Sequence, residues 1–277
     1  MRDREHWHWE TGRRRRRLFV SGALKKLAHK IMPSSNGVIC RQLTDELAAK
    51  GYVFCRGCSL LLSGEMRRAF MQLKVSYSNL PLDHFLADDG EYRFRRYSAF
   101  RVDSATSSIR VLPMQPYRQA EDVNRFAGGI DRYFEPLSEE IRSNALITRL
   151  ISEGIRCFEE LERCGPGFWH VDVHAVRIVA RHEQPGKPSP EGIHRDGFDY
   201  ISVHLIGRDN ILGGVSRIYN ERCRPIAHRS FRRALDCLYM DDKRFFHDVT
   251  PLKTLSAQGY RDVLLMSYKR IGSRSQS

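Results

Sequence analysis

Residues 191–220 read EGIHRDGFDYISVHLIGRDNILGGVSRIYN, and the fold turns on this stretch. His194 and Asp196 stand two positions apart. In extended backbone, residues i and i+2 point to the same face. An imidazole and a carboxylate on one face are two of the three ligands of a 2-His-1-carboxylate facial triad, which holds non-haem Fe(II) and leaves coordination positions open. Residues 200–206 follow as an apolar run that reads as a buried strand. Asp209-Asn210 and Gly213-Gly214 bracket a turn, and residues 215–219 supply a second strand. Strand, turn and strand behind a His-x-Asp pair is the layout by which a double-stranded β-helix presents a metal.

The third ligand belongs on a downstream strand that returns beside the first pair. His247 lies 51 residues after Asp196, in Arg244-Phe245-Phe246-His247-Asp248-Val249, which reads as a strand entry. Its rivals are His204, inside the apolar run and too near in sequence to close a triad, and His228, in a polar loop. Arg261 follows His247 by 14 residues and starts the last expected strand, 261–268. A guanidinium there can clamp a carboxylate bidentately, as the distal carboxylate of an iron-chelating 2-oxo acid requires. Two other readings of His194 and Asp196 compete: a chance pair, since His170 and Asp172 repeat the pattern, and a structural His–Asp contact. His-Arg-Asp also opens the catalytic loop of protein kinases, but Ile201 stands where that loop needs Asn, and the Gly-rich loop with its strand Lys is missing.

The 277 residues are 41% hydrophobic and 29% charged, which fits a globular chain. No apolar run approaches the roughly 18 residues of a membrane span. Seven cysteines without a secretory signal point to reduced thiols and a cytoplasmic protein. Cys55 and Cys58 form a lone Cys-x-x-Cys, with no second ligand pair for zinc. The formal net charge is +13, but residues 1–30 carry ten Lys/Arg against three acidic residues, including the run Arg13 to Arg17. That concentration reads as a basic flexible arm over residues 1–35, not as a nucleic-acid-binding domain. Residues 36–277 are then expected to form one domain, with a β-helix core at about 90–270.

Along that domain, residues 33–37 look like a linker, and 41–50 like a short helix closed by Gly51. A strand at 52–55 and a helix at 63–73 follow. Residues 92–102 make a basic strand, 114–136 an irregular polar and aromatic segment, and 137–161 a continuous scaffold helix. From Trp169 the period becomes two: Trp169, Val171, Val173 and Ala175 alternate with His170, Asp172, His174 and Val176. Short strands after helices give an α+β chain: a jelly roll, or cupin-like double-stranded β-helix, with flanking N-terminal helices.

The stretch PSPEGIHRDGFDYISVHLIGRDNILGGVSRIYN (188–220) resembles a family of bacterial and fungal 2-oxoglutarate/Fe(II) dioxygenases that includes the L-isoleucine 4-hydroxylase. So do FRRYSAF (94–100), QPYRQAEDVNRFAGGIDRYFEPL (115–137), WHVDVHAVRIVA (169–180) and RDVLLMSY (261–268), in the expected order. The resemblance implies that His194, Asp196 and His247 ligate Fe(II) and that Arg261 binds the C5 carboxylate of 2-oxoglutarate. Dioxygen is the co-substrate, and the substrate is a small molecule, a free L-amino acid hydroxylated at an unactivated C–H bond with release of succinate and CO2. Desaturation or ring closure would use the same centre. A Ser two residues after such an Arg is common among 2-oxoglutarate enzymes; Val263 stands there, so a Tyr or Ser from another strand is expected to complete that site.

A free amino acid needs a carboxylate anchor and an ammonium anchor. Arg95 and Arg96 beside Tyr97, and Arg177 on the strand of His174, are candidates for the first; Gln119 and Asn124 are candidates for the second. Strand alternation lets only one of Arg95 and Arg96, and only one of His174 and Arg177, face a common site. The alternative of another class is a non-catalytic module that binds anions or nucleic acid through the basic arm; its binding should fall steeply with salt.

Overall fold

The structure, a computed structural model, describes residues 35–56, 63–121 and 128–273. The basic arm with Arg13 to Arg17, and also Cys58 and Asn124, lie outside the described residues. Ile39–Ser277 forms one compact unit. The helices are α1 (Ser35–Lys50), α2 (Gly64–Ser76), α3 (Glu139–Arg142) and α4 (Ala145–Leu161). The strands are β1 (Tyr52–Arg56), β2 (Arg93–Asp103), β3 (Ser108–Val111), β4 (Gly167–Arg181), β5 (Tyr200–Asp209), β6 (Leu212–Gly213), β7 (Val215–Tyr219), β8 (Pro225–Ser230), β9 (Asp236–Asp241), β10 (Phe246–Val249), β11 (Leu252–Lys253) and β12 (Gln258–Ser273).

A seven-stranded sheet runs β1-β9-β5-β12-β4-β2-β3, and two small sheets run β10-β7-β8 and β11-β6. The strand pairs are antiparallel, as a jelly roll requires. Alternation on β4 and β12 divides the interior. Trp169, Val171, Val173 and Ala175, with Leu264, Met266 and Tyr268, face a core shared with α2 and α4. Val176, Ile178, Ala180 and Val263 face a second core, shared with Ile218 of β7 and Leu252 of β11. The large sheet is therefore covered by helices on one side and by the small sheets on the other.

The helix α4 buries Leu146, Ile147, Leu150, Ile151, Ile155 and Phe158 on one stripe. Gly154 lies on the same helix because a Cβ there would meet the Tyr268 hydroxyl at 2.7 Å. The continuous helix expected over 137–161 is broken at Ser143-Asn144. The Asn144 side chain accepts a bond from Leu146 N at 3.0 Å and donates to Ala69 O at 2.9 Å, so it caps α4 and ties it to α2. Of the linker expected at 33–37, residues 33 and 34 lie outside the described residues, and 35–37 are corrected to helix, since α1 begins at Ser35. It ends as expected, with Gly51 at φ +77° donating to Leu47 O. Cys55 lies across from Cys237 on β9, Sγ to Sγ 3.0 Å. Among the described residues no helix is long and apolar enough to cross a membrane.

Candidate metal centre

His194, Asp196 and His247 each offer a ligand atom within 4.8 Å of the others, the one such group of three found among the described residues. Backbone pairing brings the distant members together. His194 N donates to His247 O at 3.0 Å, and His247 N donates back to His194 O at 2.8 Å. The rings stand 4.3 Å apart between centroids. The rivals sit elsewhere: His204 is buried on β5 and bonded to Ser202, and His228 is exposed on β8. The second His-x-Asp pair, His170 and Asp172, is a local contact of 2.8 Å that also takes the Tyr97 hydroxyl.

Asp242, to which no sequence motif points, fixes the turn that carries Asp196. Its buried carboxylate accepts from the backbone N–H groups of Asp196, Gly197 and Phe198 at 3.1, 2.7 and 3.0 Å. Gly197, at φ +85°, lets the chain fold round that acceptor. Burial, and then the neighbouring Asp196, push the Asp242 carboxyl up to about 7. Asp242→Ala would leave three backbone donors unpaired behind a ligand. It should lower divalent-metal affinity by roughly 10- to 100-fold in a titration of the metal-free protein; unchanged affinity would mean that the turn holds itself.

The donor set fits Fe(II), which two imidazoles and a carboxylate select. His194 Nδ1 lies 2.9 Å from Gly192 O, to which it donates, so Nε2 keeps its lone pair. Burial, and then His194, hold the His247 pKa well below its usual value, so that ring is neutral. Burial acts against a charge on His194, but Glu191 and Asp196 outweigh it and raise the His194 pKa. Positive charge is thus favoured at His194, beside Glu191 and Asp196, where a bound cation would supply it.

A cavity of about 370 Å³ opens on the triad. Arg261 lines it at 2% exposure, and its Nε and Nη2 have no hydrogen-bond partner. Burial, and then Arg208, push its guanidinium down to about 10. Gly214, at φ +67°, brings backbone against it: a Cβ there would meet Arg261 Cδ at 3.3 Å. No Tyr or Ser bonds Arg261 among the described residues, so the expected hydroxyl partner is not found. A buried guanidinium with unused donors fits the carboxylate of a bound dianion.

Four residues back along β4 from Ile178, the register partner of Arg261, stands His174, roughly 13 Å away at the usual strand rise. Arg95 Nη2 lies 2.8 Å from His174 Nδ1. Because an Arg only donates, Nδ1 accepts and the His174 proton is on Nε2, which is unpaired. Burial, and then Arg95, hold His174 neutral. Arg132 donates to Gln119 Oε1 at 2.7 Å, and Gln119 Nε2 reaches Asp196 O at 3.2 Å. Arg93 and Tyr117 line the same end, and Arg93 pairs with Asp83 at 2.7 Å.

Of the expected substrate contacts, Arg95, Gln119 and His174 thus line the cavity. Tyr97 stacks behind His174 at 4.7 Å between centroids. Arg96 and Arg177 are corrected. Alternation turns Arg96 to Pro136 O and Glu135, and Arg177 to a bidentate pair with Asp262 at 2.7 and 2.8 Å. The Gln119 carbonyl, expected to take an ammonium, is engaged by Arg132. In the sequence Arg93, Tyr117 and Arg132 are only members of a basic strand and a polar segment; their inward direction comes from the fold.

The model of the family described as 2OG-Fe dioxygenase matches residues 74–267. The L-isoleucine-4-hydroxylase of Bacillus thuringiensis is 27% identical over 84% of this chain and 96% of its own length. The 3(1)-hydroxy-L-isoleucine 4-dioxygenase of Pantoea ananatis (strain AJ13355) is 27% identical over 72% of this chain and 80% of its own. Among solved structures, a bsmA homologue from Methylobium petroleophilum PM1 superposes with a TM-score of 0.75 at 28% identity, covering 86% of this chain and 96% of that one.

Proposed function

Because the chain belongs to the 2OG-Fe dioxygenase family, whose members work with Fe(II), 2-oxoglutarate and dioxygen, we propose that it hydroxylates a free L-amino acid or a close derivative at an unactivated C–H bond. His194, Asp196 and His247 would hold the iron, and Arg261 the C5 carboxylate of 2-oxoglutarate. When bound, the iron and its co-substrates supply the oxidising power that places one oxygen atom on a C–H bond, with release of succinate and CO2. The observation that carries the substrate class is one small cavity with two separate sets of unsatisfied cationic donors. At about 370 Å³ it lies near the lower end of ligand pockets, roughly 300–1,000 Å³, which favours a small molecule over a polymer.

The chain's own residues divide the work. Arg261 fixes the co-substrate at one place along β12. Arg95, Arg132 and the His174 Nε2–H offer donors to a carboxylate at another, so a substrate held there is oriented before any bond is made. Val176, Ile178, Val203 and Val263 line the space between with apolar surface, which suits an aliphatic side chain and excludes water. The relatives named for isoleucine and hydroxy-isoleucine chemistry support this reading.

A screen of the standard L-amino acids for substrate-dependent succinate release, and for a product heavier by one oxygen atom, tests it. Aliphatic residues are expected to score. Activity on a peptide or nucleobase with none on any free amino acid would overturn the substrate class and leave the triad standing. A product lighter by two hydrogens would assign desaturation or ring closure to the same centre.

A further inference from the structure

We propose that Glu191 is the acceptor for the substrate's ammonium group and makes the site selective for amines over the corresponding hydroxy acids; this rests on the amino-acid reading above. The cavity is lined by three carboxylates, and two are committed. Asp88 is paired with Lys187 at 2.8 Å and takes the Tyr92 hydroxyl at 3.0 Å. Asp196 belongs to the triad. Glu191 remains, with its side chain 17% exposed, and its contact is His194 Nε2 at 3.3 Å.

That nitrogen is the one left free by the Nδ1 bond to Gly192. Once it ligates a metal, it has no proton to offer, and the Glu191 carboxylate loses its donor. Among the described residues no Lys or Arg pairs with it. A metal on His194 would offset part of its charge from one side, and the carboxylate keeps acceptor lone pairs that face the cavity and can take a cationic group of the ligand. Meanwhile Arg93 and Arg95 share the single carboxylate of Asp83, at 2.7 and 3.6 Å, and Arg132 has a neutral partner in Gln119. The cavity therefore offers excess positive charge on the β2 side and one negative charge beside His194, complementary to a zwitterion.

The turn holding Glu191 is prepared in advance. Pro188 and Pro190 restrict its backbone, Gly192 N donates to Ser189 O at 3.0 Å, and Ser189 Oγ accepts from Val249 N at 3.1 Å. The acceptor is thereby tied to the strand that carries His247, so an ammonium bound there lies beside the metal ligands.

Calorimetric titration of the full chain loaded with Mn(II) and 2-oxoglutarate, which avoids turnover, is the test. The probes are the standard L-amino acids and the 2-hydroxy acids that match them. Glu191→Gln should weaken binding of the amino acids that bind the unaltered protein by roughly 10- to 100-fold and the hydroxy acids less than about two-fold, and Glu191→Asp should recover part of the loss. Equal binding of the amino acids by Glu191→Gln and the unaltered protein would overturn the assignment alone. So would weaker Mn(II) binding in Glu191→Gln, which would give the carboxylate to the metal. Binding of hydroxy acids but of no amino acid by the unaltered protein would overturn both this assignment and the amino-acid reading.

Discussion

Arg261→Met should raise the 2-oxoglutarate concentration for half-maximal turnover by roughly 100-fold or more, and should not destabilise the protein. The first effect follows from the donors. Nε and Nη2 are buried and unpaired, and two charge-assisted hydrogen bonds to one carboxylate are each worth about 1.5–3 kcal/mol. The second follows from the same vacancy. Arg261 is a buried cation whose guanidinium is further disfavoured by another cation, Arg208. Replacing it with an apolar side chain of similar length removes an uncompensated charge beside Val263 and Phe231. Arg261→Lys should fall between, because it keeps the charge and loses the planar fork. Initial rates across a 2-oxoglutarate series, with thermal melts of the same proteins, read both effects. A lower melting temperature with an unchanged 2-oxoglutarate dependence would make Arg261 a structural residue.

What the sequence reveals here depends on period and on chain order. The apolar run behind Asp196 and the turn residues that follow it correctly anticipate β5 and β7, because strand and turn signals are local properties of the chain. Alternation also says that Arg95 and Arg96 must part, as must His174 and Arg177, but not which member turns inward. That choice is made by pairing: β2 lies against β4 with Tyr97 opposite His174, and Arg95, Tyr97 and His174 then share the cavity side. The break before α4 escapes a periodicity argument because Asn144 acts through a cap and a tertiary bond to Ala69. Asp242 and Glu191 are harder still. Each is one acidic residue in a turn: Asp242 takes its meaning from backbone N–H groups that a distant segment brings to it, and Glu191 from a turn that folds it back on His194, three residues on. Family likeness supplied what spacing could not, since several ordered blocks constrain a fold more than one His-x-Asp pair.

The second large effect concerns the triad itself. In the proposed centre, His194→Ala or Asp196→Ala removes a ligand outright, so the loss of turnover should exceed the roughly 10- to 100-fold that changes behind a ligand cost. His194 and His247 meet through a reciprocal backbone pair, which does not use their side chains, so either Ala variant should keep the fold. The direct measurement is an anaerobic titration with Fe(II) and 2-oxoglutarate, followed by visible spectroscopy and then by succinate yield on admitting air. The unaltered protein should develop the weak metal-to-ligand charge-transfer band of a chelated 2-oxo acid, and both Ala variants should lose the band and the succinate together. A variant that folds, keeps the band and makes succinate at the full rate would show that the iron is held elsewhere.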